Sequence, residues 1–292
     1  MKVTGFSFIR NALIYDYPVV EAIRSILPLC DEVVVAVGRS DDETLELVQS
    51  IDPQKVRILE TVWDDSLRSG GRVLAEETNK AFQAISADSD WAFYIQGDEC
   101  IHEKYHPAIL AGMHKYLDNP QVDGLLFDYL HFYGSYDYVG ESYRWYRKEI
   151  RIVRNDKRIY SYRDAQGFRK GDNEKLVVKP IDACVYHYGW VRDPRAMQRK
   201  KEGVSRFWHD DEWIERHVEK AEAFDYSEID ALARFEGTHP DVMSERLRRM
   251  NWTFDYDISF NRFGWKDRFK RFIETKTGYR IGEYRNYRVL KE

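Results

Sequence analysis

Three short stretches hold the residues whose types and spacing suit chemistry. The first is Gln96-Gly97-Asp98-Glu99, directly after the apolar run that begins at Trp91. A carboxylate at the end of a strand can hold Mg²⁺ or Mn²⁺, and such an ion can bind a diphosphate. The same two carboxylates could instead cap the following segment. The second stretch is Gly38-Arg39-Ser40-Asp41-Asp42-Glu43, after Val33–Val37. Ser40 and Glu43 have capping-box spacing, which predicts a helix starting at Ser40. A helix N-terminus at a strand end offers free N–H groups to phosphate. Gly38 would allow close backbone approach, and Arg39 could pair with phosphate. A well-capped turn without a ligand is the other reading. The third stretch is Tyr186-His187-Tyr188-Gly189-Trp190-Val191-Arg192, followed by Arg195, Arg199, Lys200 and Lys201. Its histidine is a possible second metal ligand, with cations nearby to neutralise a diphosphate. A histidine among aromatics can equally be a satisfied core residue, and the cations a solvated helix face.

Three further patterns compete with these. His102-Glu103-Lys104-Tyr105-His106 spells the zinc-peptidase motif HExxH, which needs both histidines on one helical face. Pro107 follows His106 directly and pushes it out of the α region, so the metallopeptidase reading is disfavoured. Residues 143–158 interleave Tyr143, Trp145 and Tyr146 with seven Arg and Lys residues. That texture can bind single-stranded nucleic acid, a sugar acceptor or a lipid-linked phosphate. Trp265, Phe269, Phe272 and Ile273 share one face of a predicted C-terminal helix, among Lys266, Arg268, Lys270 and Arg271. Packing of that face onto the body is expected; contact with an anionic membrane is the alternative.

The elements that must position these residues alternate in type. Lys2–Ile9, Val33–Val37, Val56–Val62 and Trp91–Gln96 read as strands. Helices are predicted after Pro18, after Ser40, and across Leu74–Ile85. Val33–Val37 has no polar alternation, as expected of a strand buried on both faces of a parallel sheet. The alternation implies an α/β fold with a mostly parallel, doubly wound sheet flanked by helices. Further strands are expected near 122–127, 151–153 and 183–188. From about residue 194 the pattern becomes helical. We therefore expect a principal domain over 1–193 and a mainly helical extension over 194–292 packed on it.

Composition removes several classes. A net charge of -5 argues against a free-standing nucleic-acid binder. Cys30, Cys100 and Cys184 lie far apart without a CxxC, so neither a zinc ribbon nor a disulfide framework is indicated. No apolar stretch approaches the roughly 20 residues of a membrane helix. The N-terminus lacks a signal peptide's apolar core. A cytoplasmic location is expected, with peripheral contact on the inner face of a membrane as an option.

The strand-end stretches together resemble glycosyltransferase family 2, with its GT-A fold. Asp31–Thr44 looks like that family's second strand and aspartate-rich turn. Asn11 matches an asparagine usual after the first strand. Gln96-Gly97-Asp98-Glu99 falls where the family carries Asp-x-Asp. His187 with the cations after it, and Gly282-Glu283-Tyr284-Arg285-Asn286-Tyr287, resemble the C-terminal signature of one bacterial subgroup. The chain departs at Gln96, which replaces the first aspartate, and at Gly38, where many members have a base-reading aspartate. The resemblance implies an inverting, metal-assisted hexosyltransferase of surface polysaccharide or glycoconjugate synthesis. Its partners would be a nucleotide-diphosphate sugar donor and a carbohydrate or lipid-linked acceptor, with no nucleic acid. It implies Mn²⁺ or Mg²⁺ on Asp98 and His187. It implies a nucleotide site drawn from Arg10, Asn11, Gly38, Arg39, Ser40, Asp42, Gln96, Gly97 and Lys200. The base that deprotonates the acceptor hydroxyl is sought first at Asp164, then at Glu99 or Asp172. A non-catalytic nucleotide-sugar or carbohydrate binder on the same scaffold is the alternative from a different class.

Overall fold

The valine-rich run after Asp31 forms a strand whose residues Val33–Val37 are all buried, so both of its faces must be covered. In the computed structural model, which describes residues 1–291, it is the second strand of a large mixed sheet. The first half runs β1 (Val3–Ile9), α1 (Val19–Ile26), β2 (Glu32–Gly38), α2 (Thr44–Gln49), β3 (Val56–Thr61), α3 (Arg72–Gln83), β4 (Trp91–Tyr94), β5 (Glu99–Ile101) and α4 (His106–Tyr116). Then follow β6 (Gly124–Tyr133), β7 (Tyr138–Gly140), β8 (Lys148–Arg154), β9 (Ile159–Tyr162), β10 (Gly167–Lys170), β11 (Glu174–Lys175) and the long β12 (Val177–Trp190). The rest comprises α5 (Pro194–Ser205), α6 (Asp211–His217), β13 (Leu232–Arg234), α7 (Ser244–Arg249), α8 (Trp265–Thr277) and β14 (Arg288–Val289).

Strands β3, β2, β1 and β4 lie side by side and parallel. β8 runs antiparallel between β4 and β6, and β12 returns to the common direction beside β6. Only β8 therefore reverses among the long central strands, and their carboxyl ends open on one edge. One face of the sheet packs on α1 and α4 through Val19, Ile23, Ile26, Ile109 and Met113. The other packs on α3 and β10 through Ala81, Phe82 and Phe168, against Phe6 and Val34. This is the α/β architecture expected from the sequence, a mostly parallel sheet flanked by helices.

Pro18 immediately precedes α1, where its fixed φ suits a helix start. The predicted capping box does not form. Helix α2 begins at Thr44, and Ser40 Oγ instead donates to the Gly38 carbonyl. Asp42 takes the capping role, accepting from the Thr44 N–H at 3.1 Å and from the Thr44 hydroxyl. Among the described residues after β12 there are four α-helices joined by irregular segments, and β14 returns to pair with β12. Helix α8 fully buries none of its residues: of the expected apolar face Trp265, Phe269 and Phe272 point outward and Ile273 is half-buried, which corrects the expected packing. No helix among the described residues is long and apolar enough to cross a membrane.

Candidate active site

The carboxyl ends of β1, β2 and β4 meet the last turn of β12 and helix α5 around a cavity of about 460 Å³. In open α/β sheets this edge is where ligands bind. Beyond Tyr94 the chain leaves the sheet in a turn that brings Gln96, Gly97 and Asp98 to the cavity wall. From α5, Lys200 reaches in and donates to Asp98 Oδ2 at 3.1 Å and to the Gly189 carbonyl at 2.9 Å. From β12, His187 Nε2 stands 3.7 Å from Asp98 Oδ1. Gly189 makes this meeting possible: a Cβ there would lie 2.5 Å from the His187 ring and 3.0 Å from Asp98 Oδ2.

Hydrogen bonding fixes which face of His187 carries a proton. His131 Nε2 lies 2.8 Å from the Tyr146 carbonyl, which can only accept, so that nitrogen donates. In the neutral ring His131 Nδ1 must then accept, and its partner at 3.1 Å is His187 Nδ1. His187 therefore donates from Nδ1 and turns a lone pair on Nε2 toward Asp98. Burial pushes both imidazoles below their ordinary range, His131 furthest, so both are neutral. Two acceptors thus lie 3.7 Å apart, and the cation beside them in this structure is the Lys200 ammonium, 3.1 Å from Asp98 Oδ2. Burial alone would raise the Asp98 carboxyl, but the Lys200 ammonium and the Arg192 guanidinium outweigh it and hold the group below the usual carboxylate range. Burial and the neighbouring Arg192 draw Lys200 down to about 8.

The turn after β1 is locked to the turn after β2. Asn11 has a left-handed φ of 53°. Its side chain accepts from the Asp41 N–H at 2.9 Å and donates to Asp41 Oδ2 at 3.2 Å. Its own N–H donates to Ser40 Oγ at 3.0 Å. Six carboxylates line the cavity (Asp41, Asp64, Asp65, Asp98, Asp164, Asp211) against four cations (Arg10, Arg68, Lys200, Arg206). The lining therefore carries an excess of negative charge.

No family model matches the chain, and no curated protein matches it in sequence. Among solved structures it is similar to S. aureus TarS 1-349, with 14% identity, 70% of this chain covered and a TM-score of 0.40. The chain spans 64% of the length of that TarS structure. The same TarS portion in complex with UDP-GlcNAc matches at 15% identity and TM-score 0.41, over 70% of this chain and 65% of that one. Glucosyl-3-phosphoglycerate synthase from Mycobacterium tuberculosis, in complex with Mn²⁺, UDP and glucosyl-3-phosphoglycerate, matches at 16% identity and TM-score 0.31. That match covers 45% of this chain and 44% of the synthase. These are distant likenesses of shape; the chemistry must be read from the side chains themselves.

Of the residues singled out in the sequence, Arg10, Asn11, Gln96, Gly97, Asp98, Asp164, His187 and Lys200 all line the one cavity. The others do not. Gly38 is filled against Trp63, whose indole occupies the space a Cβ would need, so its role is packing rather than ligand approach. Arg39 is exposed, and its N–H extends the β3 pairing by donating to Thr61 O. Ser40 and Asp42 hold loops: Asp42 also accepts from the N–H groups of Leu13 at 3.0 Å and Ile14 at 2.8 Å. Asp172 is exposed in the β10–β11 turn.

Glu99 cannot serve as the base. It is fully buried and receives Arg151 Nη2 at 2.7 Å and Arg151 Nε at 2.9 Å. The Tyr129 hydroxyl and the Gln96 N–H complete its shell. The HExxH pattern is likewise spent on structure. His102 is extended and lies before helix α4, whereas His106 opens it. His102 Nε2 bonds Thr238 Oγ1 at 2.8 Å, and His106 Nε2 bonds the Ser25 carbonyl at 3.0 Å. The cations of 143–158 turn inward or pair: Arg151 with Glu99, Arg147 with Glu274 and Glu283, Arg144 with Asp230. Arg154 is consumed by four carbonyls, those of Tyr116, Leu117, Asn119 and Val122.

Sequence reasoning missed Asp41, Trp63 and the end of α5. Trp63, Phe207 and Trp208 form an aromatic wall of the cavity, with Trp63 and Phe207 centroids 5.3 Å apart. His131 was also missed, because its partner lies 56 residues away on another strand.

Proposed function

We propose that the chain is a glycosyltransferase that moves a sugar from a nucleotide-diphosphate sugar to a hydroxyl acceptor, with inversion and with help from a divalent metal. The observation that carries this reading is the convergence of Asp98 Oδ1 and the His187 Nε2 lone pair in a cavity at the carboxyl edge of the sheet. A carboxylate oxygen suits Mn²⁺ or Mg²⁺, and an imidazole nitrogen beside it favours Mn²⁺ over the harder Mg²⁺, with remaining positions left to diphosphate oxygens and water. Among the described residues no group of three His, Cys, Asp or Glu side chains forms a complete cage. A two-ligand protein contribution matches an ion carried in with its substrate. When bound, that ion would stabilise charge on the departing diphosphate.

The protein groups act around it. Lys200 neutralises charge at the same carboxylate and, through its ammonium, can meet phosphate oxygens. Asn11 and Asp41 fix the wall beside the nucleotide. The aromatic wall of Trp63, Phe207 and Trp208 offers faces for a base or a sugar ring. Asp164 lies in the same cavity and is the candidate to take the acceptor's proton. The acceptor class proposed is a carbohydrate or a lipid-linked carbohydrate, as in surface polysaccharide or glycoconjugate synthesis.

The test is turnover. Nucleotide sugars incubated with the protein, Mn²⁺ and an acceptor extract should release nucleoside diphosphate. Asp164→Asn should lower that release by roughly 10²–10⁴-fold with donor affinity retained. Donor binding without release under every acceptor would favour a nucleotide-sugar binding protein instead.

A further inference from the structure

Helix α8 is docked with its polar side inward. Glu274 accepts from the Tyr143 hydroxyl at 2.7 Å and pairs with Arg147. Lys270 lies over the Tyr143 ring at 5.1 Å, and Arg271 pairs with Glu141 at 2.7 Å. The opposite stripe, spaced i, i+4, i+7, is Trp265, Phe269 and Phe272. Their exposures are 77%, 59% and 59%. A helix that faces water normally shows the reverse arrangement, with its apolar stripe against the core.

The flanks of the stripe indicate what covers it. Lys266 and Arg268 border it and Lys276 continues it by helical geometry, and all three are exposed. Among the described residues no carboxylate pairs with any of them. This local positive charge stands on a chain whose formal net charge is -5, so it is a patch rather than a property of the whole. Tyr279 and Tyr284 add exposed rings just beyond the helix, at 58% and 62%. Aromatic rings flanked by Lys and Arg, whose stems can lie along an apolar surface while their heads reach phosphate, suit a bilayer interface. Symmetric pairing of two copies through this stripe would bring like cations together and is disfavoured.

We propose that the Trp265–Phe269–Phe272 face of α8 binds the surface of an anionic lipid bilayer, lying in the interface plane. This surface is independent of the transferase reading.

Co-sedimentation tests it with two vesicle types, phosphatidylcholine alone and phosphatidylcholine mixed with phosphatidylglycerol. The wild type should pellet with the anionic vesicles, and binding should weaken as salt rises. Phe269→Asp/Phe272→Asp should abolish pelleting. Lys266→Glu/Arg268→Glu should weaken it roughly tenfold or more. These side chains are exposed, so far-UV circular dichroism and unfolding midpoints should match the wild type. No pelleting with anionic vesicles, or unchanged pelleting of the double aspartate variant, overturns the proposal. So does a dimer in light scattering that the double aspartate variant dissolves, since the stripe would then serve a second copy.

Discussion

Replacing Arg151 by methionine removes a guanidinium that makes two bonds to Glu99, at 2.7 and 2.9 Å. It also removes bonds to the carbonyls of Ile150 at 2.9 Å and Gln166 at 3.0 Å. Both members of the pair are fully buried, at 0% side-chain exposure. Glu99 would be left charged in the interior with only the Tyr129 hydroxyl and the Gln96 N–H. Breaking one half of a buried pair costs about 3–5 kcal/mol. At roughly 2–4 °C per kcal/mol for domains of comparable size, Tm should fall by about 10 °C. Removing both charges, as Glu99→Leu/Arg151→Met, should restore most of the loss, because no uncompensated ion remains. Differential scanning calorimetry on the four members of this cycle gives the coupling directly. If Arg151→Met is as stable as the wild type, the pair is not a structural element. If Glu99→Gln abolishes turnover while leaving Tm unchanged, Glu99 is part of the chemistry and its assignment to the core is refuted.

Other perturbations test neighbouring parts. His131→Phe removes the acceptor that sets the His187 tautomer; Mn²⁺ affinity, measured calorimetrically with a nucleoside diphosphate present, should fall about 10–100-fold. Unchanged affinity would contradict the hydrogen-bond chain. Asp42→Ala strips the acceptor shared by Leu13, Ile14 and Thr44 and should cost about 2 kcal/mol in urea unfolding, with a loss below ~0.5 kcal/mol counting against its clamping role. Glu149 is buried, and burial raises its carboxyl to about 7; its Oε2 has no hydrogen-bond partner. Between the unfolded value of 4.5 and 7 the folded state holds the extra proton, so stability falls as pH rises through that window, by about 3 kcal/mol in all. Glu149→Gln should flatten this slope, and an identical slope in both proteins would refute the assignment.

The fold was legible where local pattern and tertiary demand agree. Val33–Val37 could only be a doubly covered strand, and Pro18 marked the start of α1. The strand-end carboxylate at Asp98 followed from where the apolar run stops. The capping box at Ser40 and Glu43 misled because Asp42 accepts from the Thr44 N–H and also ties down Leu13 and Ile14, so the helix starts at Thr44 rather than Ser40. Glu99 looked like a candidate base because no local signal announces that Arg151, 52 residues on, will neutralise it in the core. Gly38 looked like a ligand contact because its neighbour Trp63 arrives from the loop after β3. The outward stripe of α8 was visible as a periodicity, but its direction depends on Tyr143, Arg147 and Glu141, which hold the polar side. Relations of this kind span the chain and leave no mark on spacing.

The most direct test titrates nucleoside diphosphates and nucleotide sugars into the wild type and Asp98→Ala, each with and without Mn²⁺, by isothermal calorimetry. The wild type should bind at least one of them roughly tenfold or more tightly with the ion, an increment of about 1.4 kcal/mol. Asp98→Ala should show no metal-dependent gain while keeping its fold. Equal wild-type affinity with and without Mn²⁺, or a full metal effect in Asp98→Ala, would contradict the assignment of this cleft.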